Sequence, residues 1–266
     1  MIKQLILILF IFIGFSNNSN AQFDGHSHEI GVVVGPVAFQ SDYGERHDLS
    51  TNSGNTGFGV GIIHYLNFTY NSEYNYTPKT YFNQHFKLRS ELSFNKTNLK
   101  HYGEYVSPDK TSLGAKQLRA MEGSSSIMNI GTQLELFPLS IRDFTATIGS
   151  FAPYASLGGQ FSYYNAKATS SLGALGNSAT TFPKYLTPSD GRAHGYSNES
   201  KTVFSVVSSL GTRYKLDDSS DLLLDLRFQY FFSNWVDGLN PNPEIYKENK
   251  ANDWLVWLNV GYIYYL

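Results

Sequence analysis

Between Asp221 and Phe232 every even position is apolar: Leu222, Leu224, Leu226, Phe228, Tyr230 and Phe232. The odd positions carry Asp225, Arg227 and Gln229, with Leu223 and Phe231 among them. Alternation with a period of two describes a β-strand whose faces meet two different environments. The run is long for a soluble protein, whose strands average about 5–6 residues. A tilted strand that crosses a bilayer needs about 9–11 residues, apolar outward and polar inward.

The same pattern predicts seven further strands, and together they read as an all-β, eight-stranded antiparallel transmembrane β-barrel. The first spans 27–40, with Ile30, Val32 and Val34 on one face and a bulge or kink expected at Gly35-Pro36. The second, 57–70, sets Phe58, Val60, Ile62, Leu66 and Phe68 against Gly57, Gly59 and Gly61. The third, 81–97, points Phe82, Phe86, Leu88, Leu92 and Phe94 outward. Its inward set is Asn83, His85, Lys87, Arg89, Glu91, Ser93 and Asn95. The fourth, 125–137, and fifth, 148–165, alternate in the same way, as do the sixth, 201–216, and the eighth, 252–266. On the eighth, Trp254, Val256, Leu258, Val260, Tyr262, Tyr264 and Leu266 share the outward face.

The connections add a second signal. They alternate long (41–56), short (71–80), long (98–124), short (138–147), long (166–200), short (217–220) and long (233–251). Short periplasmic turns and long extracellular loops are the habit of outer-membrane barrels with both termini in the periplasm. Leu216-Asp217-Asp218-Ser219-Ser220 has the composition of a tight turn. The third long loop, rich in Ser, Thr, Ala and Gly from Ala166 to Thr180, reads as solvated.

Composition narrows the compartment. Lys3, the apolar run Leu5–Phe15 and the small residues Ser19-Asn20-Ala21 form a secretory signal peptide, so residues 1–21 are read as cleaved and 22–266 as the barrel domain. The chain has no cysteine and a formal net charge of −2. These features exclude a disulfide framework, a thiolate metal site and a nucleic-acid partner. Aromatic residues make up 15% of the chain. Those near strand ends (Tyr70, Tyr81, Phe82, Phe137, Phe151, Tyr214, Phe232, Trp235 and Trp254) fit interfacial girdles.

Candidate chemistry is sparse. An eight-stranded barrel is just wide enough for side chains to fill it. Lys87, Arg89, Glu91, Glu135, Arg213, Asp225 and Arg227 are therefore expected to pair inside a filled polar lumen. His26 and His28 form an H-x-H that would share a strand face, but no third metal ligand is placed. His64 interrupts the apolar face of strand two, and His85 is expected in the lumen. Loop residues Ser41, Asp42, His47 and Asp48, with His101, Glu104 and His194, are the raw material for a lipid-modifying enzyme, but no spacing forces a triad. No catalytic, cofactor-binding or metal-binding residue is assigned, and no cofactor is implied.

Four segments carry a likeness: His28-Glu29-Ile30-Gly31-Val32, Phe39-Gln40-Ser41-Asp42-Tyr43-Gly44, Phe151-Ala152-Pro153-Tyr154, and Arg227 through Trp235-Val236-Asp237-Gly238-Leu239. On these the chain resembles the PorG-type outer-membrane barrels of Bacteroidota, associated with type IX secretion. The resemblance implies a non-enzymatic structural or adaptor barrel in contact with outer-membrane lipid and with secretion-complex proteins, which would meet the short turns. A narrow pore or small-solute binder and an outer-membrane lipid-modifying enzyme are the alternatives.

Overall fold

The structure, a computed structural model, describes residues 27–45, 48–68, 80–249 and 251–266. Eight strands close in chain order into one antiparallel barrel: β1 Ser27–Gln40, β2 Thr56–Asn67, β3 Phe86–Lys100, β4 Met121–Leu136, β5 Phe151–Ser170, β6 Ser200–Asp217, β7 Ser220–Phe231 and β8 Trp254–Tyr265. β1 pairs with both β2 and β8, so no sheet edge is left open. Closure gives every strand a hydrogen-bonded neighbour on both sides, which a bilayer interior demands.

The faces fall as the alternation requires. Val32, Val60, Leu92, Ile130, Phe161, Leu210, Leu226 and Val260, one from each strand, are all exposed. The residues between them turn inward and are buried, so Asp225, Arg227 and Gln229 lie inside while Leu224, Leu226 and Phe228 lie outside. An apolar belt around a closed barrel with a charged interior makes this an integral outer-membrane β-barrel. No helix among the described residues is long and apolar enough to cross a membrane.

Several expectations are corrected. Gly35-Pro36 interrupts the ladder to β8 but inserts no bulge: Val34 opposite Val260 and Val37 opposite Trp257 keep one register across the gap. The proline removes a donor, and the glycine lets the backbones approach; a Cβ at Gly35 would sit 1.8 Å from the Leu258 carbonyl oxygen. β3 starts later than predicted, because Thr80 caps a short helix, Tyr81–His85, by accepting the Asn83 amide. His85 therefore leaves the lumen; its Nδ1 lies 2.7 Å from the Phe137 carbonyl and its ring stacks on Tyr81.

The rhythm of connections holds in bulk but not strictly. One end of the barrel carries 41–55, 101–120, 171–199 and 232–253, and the other 68–85, 137–150 and 218–219. The 68–85 connection is longer than 41–55, because the Tyr81–His85 helix takes residues that alternation assigned to a strand. The 218–219 turn is as tight as its composition implies. Asp217 accepts the Ser219 amide at 2.8 Å and the Ser220 hydroxyl at 2.7 Å.

The interior has two zones. Near the termini it is densely charged, as expected. Near the opposite mouth it is apolar, with Phe39, Leu99, Met121, Ile127, Phe231 and Leu255 packed together. A uniformly polar lumen is thus not what the strands build.

Candidate functional site

Three layers fill the lumen from the terminal end upward. In the first, Glu29 of β1 accepts Lys87 Nζ at 2.6 Å and Arg213 Nη2 at 2.7 Å. Asp221 stands 3.5 Å from Arg213 and 3.7 Å from Lys215, and accepts the Tyr265 hydroxyl at 2.8 Å. In the second, Arg89 reaches Glu91 at 2.9 Å, Asp225 at 3.2 Å and Glu135 at 3.5 Å. Arg227 grips both oxygens of Glu91, one at 2.7 Å, and leans on the Trp257 ring. The third is neutral. Gln229 Nε2 donates to Asn129 at 3.0 Å and to the Ser205 hydroxyl at 2.9 Å.

All seven predicted lumen charges lie in this network. Sequence reasoning missed Glu29, Lys215 and Asp221, although each sits at an odd position on a strand whose even face is apolar. With them the two charged layers of the lumen hold five cations and five anions, all closed off from solvent.

The connections 41–55, 101–120, 171–199 and 232–253 meet as a cap over the apolar mouth. Its centre is the segment leaving β7. Val236 and Leu239 are fully buried, and Ser125 Oγ of β4 donates to the Val236 carbonyl at 2.5 Å. Asp253 Oδ2 accepts the Val236 amide at 3.0 Å, and Asp237 accepts the amides of Leu239 at 2.7 Å and Asp42 at 2.6 Å. Trp235 is buried rather than interfacial; its Nε1 donates to Asp190 and its ring stacks on the Arg192 guanidinium, 3.8 Å away. Phe137 likewise leaves the expected girdle and packs inside against Tyr154. The stretch expected to be solvated is partly strand, since β5 runs to Ser170. The rest folds around Asn177, whose side chain accepts two backbone amides.

Beside this plug the cap forms a cavity of about 360 Å³, open to solvent on one side. Loop 41–55 contributes Tyr43 and Glu45, loop 101–120 His101, Tyr102 and Tyr105, loop 171–199 Phe182, Lys184 and Tyr185, and loop 232–253 Tyr246 and Glu248. Tyr43, His101 and Tyr185 form a run of rings at 5.0 and 5.8 Å. His101 hydrogen-bonds to the Tyr43 backbone, and burial pulls its pKa down to about 3. The ring is therefore neutral at any physiological pH, with an enclosed Nε2 that has no hydrogen-bond partner. Burial, reinforced by the nearby Asp237 carboxylate, pushes the Tyr43 phenol well above its usual value.

Of the candidate catalytic residues, Asp42 and His101 come together on the wall of this cavity, with Ser41 buried beside Asp42; the other described candidates lie apart from them. His26 and His47 lie outside the described residues, as does Tyr70. His28 Nδ1 meets His64 Nε2 at 3.0 Å on the outward face, and no group of three ligands suited to a metal occurs among the described residues. His194 lies 3.2 Å from the Leu186 carbonyl. Ser41 and Asp42 are buried in the cap, Asp48 binds Ser50, and Glu104 pairs with Lys110. Each described histidine hydrogen-bonds to a backbone group or to another histidine.

No family model matches the chain, and no curated protein matches it. Solved structures do. A major outer-membrane protein of Thermus thermophilus is 12% identical with a TM-score of 0.44, over 91% of this chain and 99% of that one. The attachment invasion locus protein Ail of Yersinia pestis is 11% identical with a TM-score of 0.42, covering 91% and 99%. OprG of Pseudomonas aeruginosa is 11% identical with a TM-score of 0.40, covering 90% and 97%.

Proposed function

We propose that this barrel is a non-enzymatic structural or adaptor subunit of a cell-envelope complex, of the kind that serves type IX secretion. The observation that carries the reading is the lumen. Ten charged side chains pair off inside it, five of each sign, away from solvent. A permeating ion would have to part these pairs, and a buried charge left without its partner costs about 3–5 kcal/mol. The interior therefore supports the barrel, and recognition is left to its lipid belt and its two ends.

The segments that resemble the secretion barrels land in that interior and in the cap. Glu29 and Arg227 belong to the ion network, and Asp42 and Asp237 to the plug. They support a shared framework. The partner surface in this reading is the terminal end, where the Tyr81–His85 helix and the 137–150 and 218–219 turns lie, facing the periplasm once residues 1–21 are removed as a leader. Intact-mass measurement of the purified protein should show Gln22 as its first residue.

Affinity purification from detergent-solubilised outer membranes should recover the barrel with the same periplasmic or outer-membrane protein in replicate preparations. Recovery with no reproducible partner overturns the adaptor reading.

A further inference from the structure

The cavity in the outer-loop cap has no part in an adaptor role, yet it is the most chemically specific surface on the molecule. All four loops contribute walls, so it exists only in the assembled cap. It is also held open in advance. Tyr185 donates its hydroxyl to the Asp42 carbonyl at 3.0 Å, and Asn234 donates to the Asp42 carboxylate at 2.8 Å. Tyr102 donates to the Gly54 carbonyl at 3.3 Å. Three loops are thereby pinned to the fourth, 41–55, around the space. Its volume of about 360 Å³ falls within the range of roughly 300–1,000 Å³ typical of small-molecule sites.

The lining combines ring faces with charged oxygens. Tyr105 and Tyr246 present aromatic surface, and Tyr105 is largely exposed without holding any part of the cap together. Glu45 and Glu248 add carboxylates at the rim. Aromatic faces beside hydrogen-bonding groups suit two ligand types: a quaternary ammonium, or a pyranose whose C–H face stacks while its hydroxyls bond outward. The structure separates them. The cation position is already filled, because Lys184 Nζ lies 5.6 Å from the Tyr246 ring centre and 3.2 Å from Glu248. Of the three lining carboxylates, Glu248 is paired with Lys184 and Asp42 accepts from Asn234, which leaves Glu45 to draw a second cation against the repulsion of Lys184; a neutral polyol meets no such opposition.

We propose that the outer-loop cavity binds a neutral saccharide of one or two pyranose rings, stacked on Tyr105 and Tyr246. The orientation given above bears only on the ligand's access from the medium; the cavity itself is independent of it.

The test uses the full-length barrel in detergent, with galactose, N-acetylglucosamine, maltose and choline as probes in saturation-transfer NMR. At least one sugar should show transfer from protein to its ring protons, and choline should show none. Tyr105→Ala and Tyr246→Ala should each weaken that sugar's binding about tenfold, the loss expected when one stacking ring is removed. Phe161→Ala, on the lipid belt, should leave it unchanged. The proposal is overturned if no sugar shows transfer, if choline binds and displaces the sugar, or if binding survives both tyrosine variants. Because the chain has no cysteine, Tyr105→Cys gives a single thiol for a membrane-impermeant maleimide on intact cells. Labelling there places the cavity outside. Its absence, with sugar binding by the parent protein intact in detergent, refutes the orientation and leaves the site standing.

Discussion

Leu226 and Arg227 are chain neighbours in different solvents, and substitution should treat them differently. Leu226 faces lipid, so Leu226→Arg near mid-bilayer should cost about 2–4 kcal/mol in a reversible folding titration. Arg227 has no exposure and is shared by Glu91 and Asp225. Arg227→Gln leaves two carboxylates competing for Arg89 and should cost about 3–5 kcal/mol in the same assay. A pH effect belongs to His101. Its folded pKa of about 3 lies below the 6.5 of an unconstrained imidazole. The unfolded segment thus takes up a proton first, and the cap loses stability as pH falls from about 6.5 towards 3. Above 6.5 the histidine has no effect. Limited proteolysis of the outer loops should accelerate on acidification in the parent protein, and less so in His101→Gln.

At the scale of elements, the strands were legible and the connections were not. β1, β6 and β7 fall within a residue of the boundaries that alternation sets, because each is amphipathic from end to end. β3 departs from the pattern at its start. Tyr81 and Phe82 continue the aromatic rhythm, but the Thr80 cap turns them into a helix, and one hydroxyl to one amide outweighs the pattern. The cap had no periodicity to read, so the burial of Trp235 and the cavity beside it appear only once four loops meet. The glycines of β2 show how a strand can be shaped for a distant partner. A Cβ at Gly59 would lie 2.6 Å from the Trp257 ring, whose Nε1 donates to the Gly35 carbonyl at 3.2 Å. Gly59→Ala should therefore destabilise the barrel by about 1–3 kcal/mol through overpacking. Trp257→Leu in the Gly59→Ala background should recover part of the loss, read as a smaller penalty than the two single changes summed.

For the whole molecule, a lumen whose ten charges pair five against five beneath a closed plug predicts an electrically silent barrel. Planar bilayers containing the purified protein should show no conductance steps, and stepwise openings would contradict the paired lumen. That the lumen would be filled was readable from strand number and from seven charges on inward faces. That it would balance was not, because the balance depends on Glu29, Lys215 and Asp221 being counted together with them.

The balance is also divided along the chain. β1 to β4 carry Glu29, Lys87, Arg89, Glu91 and Glu135, one negative charge in excess. β5 to β8 carry Arg213, Lys215, Asp221, Asp225 and Arg227, one positive charge in excess. The ties Glu29–Arg213, Arg89–Asp225 and Glu91–Arg227 all cross between these halves. Neither half can bury its charges in lipid on its own, since each would carry unmatched ions into a medium that rejects them. Membrane entry and barrel closure are thereby one event: the first four strands must wait at the surface until the last four arrive with their counterions.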